Sequence, residues 1–253
     1  MIILEQVTIC DINSWRTFMR RSLLATVPLL VSLVVGCKGK AEEPHQVSPS
    51  AEAAPAPAKV VATPAIKKSP QRWDGPLGVK MGLTKEELEA AGIPLAPVDN
   101  VPLLYRAASA PGASGSFDDY LYYIGDEAGL CRIAAWTPAR DVNQFGEQLV
   151  STFDELQAAL SEKYGRPKEY KFVQRGSIWN EPRDFMMGLA KEERSHAAAW
   201  KQEPKRELPA DVETILLSAT AFNTSSAAVK LTYEFTNADA CIKEAKRKKH
   251  ANL

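Results

Sequence analysis

The strongest constraint on this chain is a stripe of large apolar side chains between residues 142 and 164. Val142, Phe145, Leu149, Phe153, Leu156, Leu160 and Tyr164 recur at steps of three and four, the repeat that lines one side of an α-helix. A strand would instead place successive residues on alternate faces, which this spacing does not suit. Asp141 is the expected N-cap with Gln144 at N3, and Gly165 with Pro167 ends the helix. A helix that is apolar along one side must bury that side against another layer, and the flanking sequence supplies one.

Strand signals lie on both sides of this helix. Tyr120–Ile124 and Leu130–Trp136 read as two strands joined by Gly125-Asp126-Glu127-Ala128-Gly129, a loop whose glycines suit a longer hairpin turn. Val101–Ala107 reads as an edge strand, with Pro102 tolerated only near its start. Lys168–Gln174 reads as another strand, and a helix is expected around Arg183–Glu193. Val212–Ala221 is apolar through Ile215-Leu216-Leu217, as a strand covered on both faces would be. Ala228–Thr236 alternates, with Val229, Leu231, Tyr233 and Phe235 inward and Lys230, Thr232 and Glu234 outward. Phe222 to Ser226 supplies the turn between these two strands.

A further helix begins at Thr84, where Glu87 completes a capping box and Leu83 and Leu88 occupy the positions of a hydrophobic staple. Gly92 and Pro94 stop it. Helices interleaved with short hairpins predict an α+β domain: a mostly antiparallel sheet with two or three helices packed on it. The domain is expected over residues 72–237, with a basic C-terminal tail over 238–253 that carries Lys243, Lys246, Arg247, Lys248 and Lys249. That tail reads as a solvated end, or as a contact for anionic lipid headgroups, lipopolysaccharide phosphates or the cell-wall polymer.

The first seventy residues or so have a different character. Residues 38–71 are rich in Ala, Pro, Ser, Glu, Lys and Val and contain no aromatic side chain. With Cys37 they read as a disordered tether over 37–71, since such a composition buries too little apolar surface to offset the entropy of ordering. Its prolines favour extended polyproline II, at about 3.1 Å per residue. Before it, Arg20 and Arg21 precede an apolar run from Leu23 to Val35, too short for the roughly 20 residues of a spanning helix. The run closes on Val34-Val35-Gly36-Cys37.

That ending resembles the lipobox of bacterial lipoproteins. The resemblance covers residues 19–37 and implies a signal peptide over 19–36, cleavage between Gly36 and Cys37, diacylglycerol on the Cys37 thiol and acylation of the new amine. Two or more acyl chains make membrane anchoring stable. Lys38 in place of Asp implies transfer to the outer membrane, with the domain facing the periplasm. Residues 1–18, which include Glu5, Cys10 and Asp11, are expected to be an extension of the gene model, with Met19 the true start.

Lipidation of Cys37 leaves Cys131 and Cys241 as the thiols of the domain. In an oxidising compartment they are expected to pair, pinning the C-terminal segment to the sheet; the alternative is two separate buried thiols. No cofactor and no metal cluster is expected, because four cysteines and three histidines are scattered along the chain. Glu193-Arg194-Ser195-His196 holds one Glu-x-x-His step, whereas carboxylate-bridged sites need two such pairs. It reads as a solvated helix end, on which Ser195 and His196 do not face each other. The 31 basic and 31 acidic residues balance, which removes the long-range attraction that nucleic-acid binding requires. Trp73, Trp179 and Trp200 lie near predicted element ends, where an aromatic either plugs a core or presents a binding face. The expected role is therefore a non-enzymatic binding or structural one, with the membrane as one partner through the anchor and an envelope protein or the cell wall as another. The alternative is an envelope hydrolase whose active site lacks a local motif.

Overall fold

The computed structural model describes residues 72–204, 208–209 and 211–251. Gly36, Cys37 and the segments expected to be a signal peptide and a tether fall outside them. The described chain runs through nine strands: β1 (Ala96–Pro97), β2 (Leu104–Ala107), β3 (Asp119–Gly125), β4 (Gly129–Trp136), β5 (Arg140–Asp141), β6 (Lys168–Val173), β7 (Arg194–Lys201), β8 (Val212–Ala221) and β9 (Ser226–Phe235). Four α-helices join them: α1 (Lys85–Ala90), α2 (Glu147–Tyr164), α3 (Phe185–Ala190) and α4 (Ala238–Ala251). The domain is α+β, and its sheet is antiparallel throughout these residues.

The strand order is β1-β2-β3-β4-β9-β8-β7-β6, with β5 pairing alongside β4 on the same strand, β9. Two meanders, β1–β4 and β6–β9, thus meet edge to edge where β4 pairs with β9. Cross-strand partners share a face. Ile133 opposite Tyr233, Leu217 opposite Leu231 and Trp200 opposite Ile215 therefore extend one apolar surface across the sheet. Helices α2 and α3 lie over it, α2 on β8 and β9 and α3 on β7 and β8.

The stripe that predicted α2 does most of this covering. Leu149, Phe153 and Tyr164 are buried, and Leu156 and Leu160 pack against the same core. The helix begins later than its cap signal indicated, however. Arg140–Asp141 joins the sheet instead, pairing with Ala227 and Ser226, and the Val142 amide donates to the Ser225 carbonyl at 2.8 Å. Gly146, left-handed at φ 67°, caps α2, and a Cβ there would fall 2.6 Å from the Phe185 ring. Phe145 is consequently left 43% exposed, outside the buried stripe.

The other elements follow local chemistry. Thr84 and Glu87 form the reciprocal capping box at 2.8 and 3.2 Å, with Leu83 and Leu88 buried beneath it. At the far end of α1 the Ile93 amide reaches back to Leu88 and that of Gly92 to Glu89, the paired bonds of a Schellman motif. The β3–β4 ladder closes at Gly125 opposite Gly129, and Val212–Ala221 has the bounds read from the sequence.

Further expectations are corrected. Strand β2 is internal, because Ala96–Pro97 pairs outside it, and it starts at Leu104, past Pro102. The helix around Arg183–Glu193 shrinks to a 3₁₀ turn at Pro182–Asp184 and the short α3. The chain then turns at Glu192 (φ 65°) into β7. Its Ala197-Ala198-Ala199 favours helix intrinsically, but small side chains also fit a tightly covered sheet, and packing overrides propensity. Glu193-Arg194-Ser195-His196 is therefore the entry to a strand and not a helix end. Finally, the fold continues past residue 237. The segment read as a solvated tail is helical, with Ala238, Cys241 and Glu244 buried against β3 and β4.

Candidate functional site

Two places concentrate polar chemistry. The first is the β3–β4 hairpin where α4 crosses it. Between Tyr123 and Ile124 the ladder shifts register, so that Tyr123 faces Arg132 while Ile124 faces Leu130. Cys131 is the extra residue of this bulge, which re-aims its side chain. The structure joins Cys131 to Cys241 in a disulfide, with Cα atoms 6.4 Å apart and both residues fully buried.

One helical step further, Glu244 is only 6% exposed and caps the hairpin loop. Its carboxylate accepts the Ala128 amide at 3.0 Å and the Glu127 amide at 3.3 Å. Asn237 donates to the carbonyls of Ala128 and Leu130. At the rim, Lys248 pairs with Asp126 at 2.6 Å and Arg247 with Glu127 at 3.5 Å. Gly125 leaves room for this packing: a Cβ there would lie 2.8 Å from the Glu244 carboxylate and 3.0 Å from the Cys241 sulfur, and would displace the carboxylate. The arrangement is a clamp. Every polar partner of Glu244 in it is a backbone amide, which suits holding a loop rather than transferring a proton.

The basic side chains of the former tail are thus partly committed to this clamp. Glu244 is the residue that reading by composition missed. The available signal was its place three residues after Cys241, one helical turn along.

The second place is His196 on β7. Its ring meets Phe153 edge-on at 4.5 Å and Phe185 at 5.7 Å, and its Nε2 has no hydrogen-bond partner. Burial, then Lys171, holds the imidazole below its ordinary range, with Asp154 and Glu169 pulling the other way. Ser195 is adjacent on the same strand and therefore points to the opposite face. The two cannot act as nucleophile and base, now for a strand reason. His196 reads chemically as a neutral ring wedged between aromatics.

Trp200 is fully buried and donates its indole N–H to the Gly165 carbonyl at 2.7 Å, so it plugs the core where α2 ends. Trp73 packs against the core margin and Trp179 is half-buried. Among the described residues, the large apolar side chains left open are Phe145, Phe172 (53% exposed) and Ile178 (73% exposed). Phe145 borders a shallow groove along α2 with Glu147, Val150, Ser151, Asp154 and Glu155. Among the described residues, no group of three or more His, Cys, Asp or Glu side chains is placed to hold a metal ion. Among them, too, no helix is long and apolar enough to cross a membrane. Comparison with protein families, curated proteins and solved structures finds no match to this chain.

Proposed function

We propose that the chain is a lipid-anchored lipoprotein of the bacterial outer membrane, acylated on Cys37, whose domain faces the periplasm and has a binding or structural role. The observation that carries this reading is the buried Cys131–Cys241 disulfide. Such bonds persist in oxidising compartments and are rare in the cytosol, and the lipobox-like Val34-Val35-Gly36-Cys37 supplies a route to one. The binding role draws support from Phe172 and Ile178, large apolar side chains left open on a domain whose other polar cluster works as a clamp.

The test of the anchor is metabolic labelling of cells with radioactive palmitate. The expected result is label in the wild-type chain and none in Cys37→Ala; label that persists in the variant refutes the anchor. A hydrolase reading draws on one observation, the unpartnered Nε2 of His196. His196→Phe separates the two readings. A binding protein retains its envelope role with a phenyl ring between Phe153 and Phe185, whereas a hydrolase loses turnover.

A further inference from the structure

The two edges of the sheet are built differently. One ends in β1, two residues long, where Pro97 has no amide to donate. The other ends in β6, Lys168-Glu169-Tyr170-Lys171-Phe172-Val173, six residues without proline or bulge. Each residue of β6 is exposed or half-exposed, on both faces, and no described strand pairs with its outer side. Helix α2 lies chiefly over β8 and β9 and reaches β6 only through side chains, Gln157 donating to Glu169 at 2.7 Å and Asp154 lying 3.9 Å from Lys171, so the outer backbone edge of β6 stays uncovered.

The polarity of its backbone can be read from one bond. The Gln174 amide donates across to the Glu193 carbonyl at 2.7 Å, toward β7. By the alternation of an antiparallel ladder, Phe172 and Tyr170 also direct their backbone groups to β7, while Glu169, Lys171 and Val173 direct theirs outward. A strand that adds to this edge antiparallel must match those outward groups, and long, flat, unpaired edges invite such addition.

We infer that β6 pairs with β6 of a second copy of this chain, antiparallel about a two-fold axis through Tyr170, joining two sheets into one. The register follows from the side chains. With Tyr170 opposite Tyr170 of the partner subunit, Glu169 of each chain falls opposite Lys171 of the other, and their outward backbone groups meet as the hydrogen-bonded pairs. Lys168 falls opposite Phe172. The aromatic positions then occupy the non-hydrogen-bonded sites, where side chains approach most closely.

The five cross-strand pairs over residues 168–172 are complementary, and Val173 falls opposite Pro167, whose carbonyl can accept the Val173 amide but which donates none in return. Of the five, two are acid against base, two set a cation against the exposed Phe172 ring, and the central one stacks two tyrosines. Contacts of the same kind exist within one chain: Lys171 approaches Glu169 at 3.5 Å and Lys168 lies over the Tyr170 ring at 5.1 Å, so the pairs across the axis form beside these and beside the Gln157 and Asp154 contacts of α2. Moving the axis by one residue to Lys171 sets two lysines against each other in the centre, and moving it to Phe172 sets Lys171 opposite Val173. Charges that guard an edge against strangers thus admit a second copy in one register.

The test is co-capture of two differently tagged full-length copies, co-expressed and solubilised from whole cells in mild detergent. Wild type is expected to capture wild type. Glu169→Lys captures itself about tenfold less, because both acid–base pairs become base–base, and Lys171→Glu likewise loses self-capture. Mixing the two single variants restores capture, since one copy then carries a cation at both positions, 169 and 171, and the other a carboxylate at both. The double exchange also restores it within one chain. Recovery in the mixture shows that both variants are folded. The inference is overturned by absence of wild-type self-capture, by unchanged self-capture of Glu169→Lys, or by failure of the mixture to recover.

Discussion

The β3–β4 hairpin and the β6 strand lie in opposite halves of one sheet, and they are secured in opposite ways. At β3–β4 the chain returns on itself: α4 crosses the hairpin, a disulfide fixes the crossing, and Glu244 satisfies two amides of the loop. At β6 nothing among the described residues follows the last strand, and its outward groups are left to other partners. The clamped region commits its charges within the chain, Glu244 to backbone amides and Lys248 and Arg247 to Asp126 and Glu127. The open edge carries charges whose order on the strand suits a partner. Buried polar groups need partners within the chain, whereas exposed ones take theirs from water or from another chain.

The largest effect that would break this contrast is loss of the disulfide. It closes a loop with a sequence separation of 110, for which a chain-entropy argument gives roughly 4–5 kcal/mol. Cys131→Ala with Cys241→Ala should lower the denaturation midpoint accordingly while leaving self-capture of folded protein unchanged. Next, Phe153→Ala empties a fully buried site between α2 and His196 and should cost about 3–5 kcal/mol in denaturant unfolding. Glu244→Ala should cost about 1–3 kcal/mol by leaving the amides of Glu127 and Ala128 unpaired. Glu244→Gln, which keeps an acceptor oxygen, should cost less.

A smaller effect is one of pH. Because burial and Lys171 depress the His196 imidazole, the folded chain binds fewer protons than the unfolded one below about pH 6.5. Stability attributable to this ring is full above that pH and is lost as pH falls toward the folded-state value. Thermal melting of His196→Phe between pH 5 and 7 should show a flatter dependence than wild type. The smallest change is at the rim, where Lys248→Ala should cost about 0.5 kcal/mol or less despite its 2.6 Å contact with Asp126, because both side chains are largely exposed.

Periodic burial was the part of this architecture legible in sequence. The α2 stripe from Leu149 to Tyr164 and the capping box at Thr84 are present in the fold, and so is the inward face of β9, although Thr232 on its other face is buried as well. Elements whose identity depends on distant neighbours were not legible. The alanines of β7 favour helix until β6 and β8 flank them. Asp141 resembles a cap until β9 recruits it. The basic run after Asn237 resembles a solvated tail because composition cannot show Glu244 facing a loop more than a hundred residues earlier. The β6 edge was legible as a strand, but its position at the end of the sheet follows from topology alone.

The contrast between a region closed within the chain and an edge closed by a second chain is tested most directly by amide hydrogen exchange. It should be followed residue by residue on the full-length, oxidised protein at two concentrations spanning self-association. The amides of Glu127 and Ala128 should exchange slowly and equally at both, and become fast only after reduction. Those of Glu169, Lys171 and Val173 should exchange fast when dilute and become protected when concentrated. Fast exchange at Glu127 and Ala128 in the oxidised protein, or β6 amides indifferent to concentration, would contradict the account.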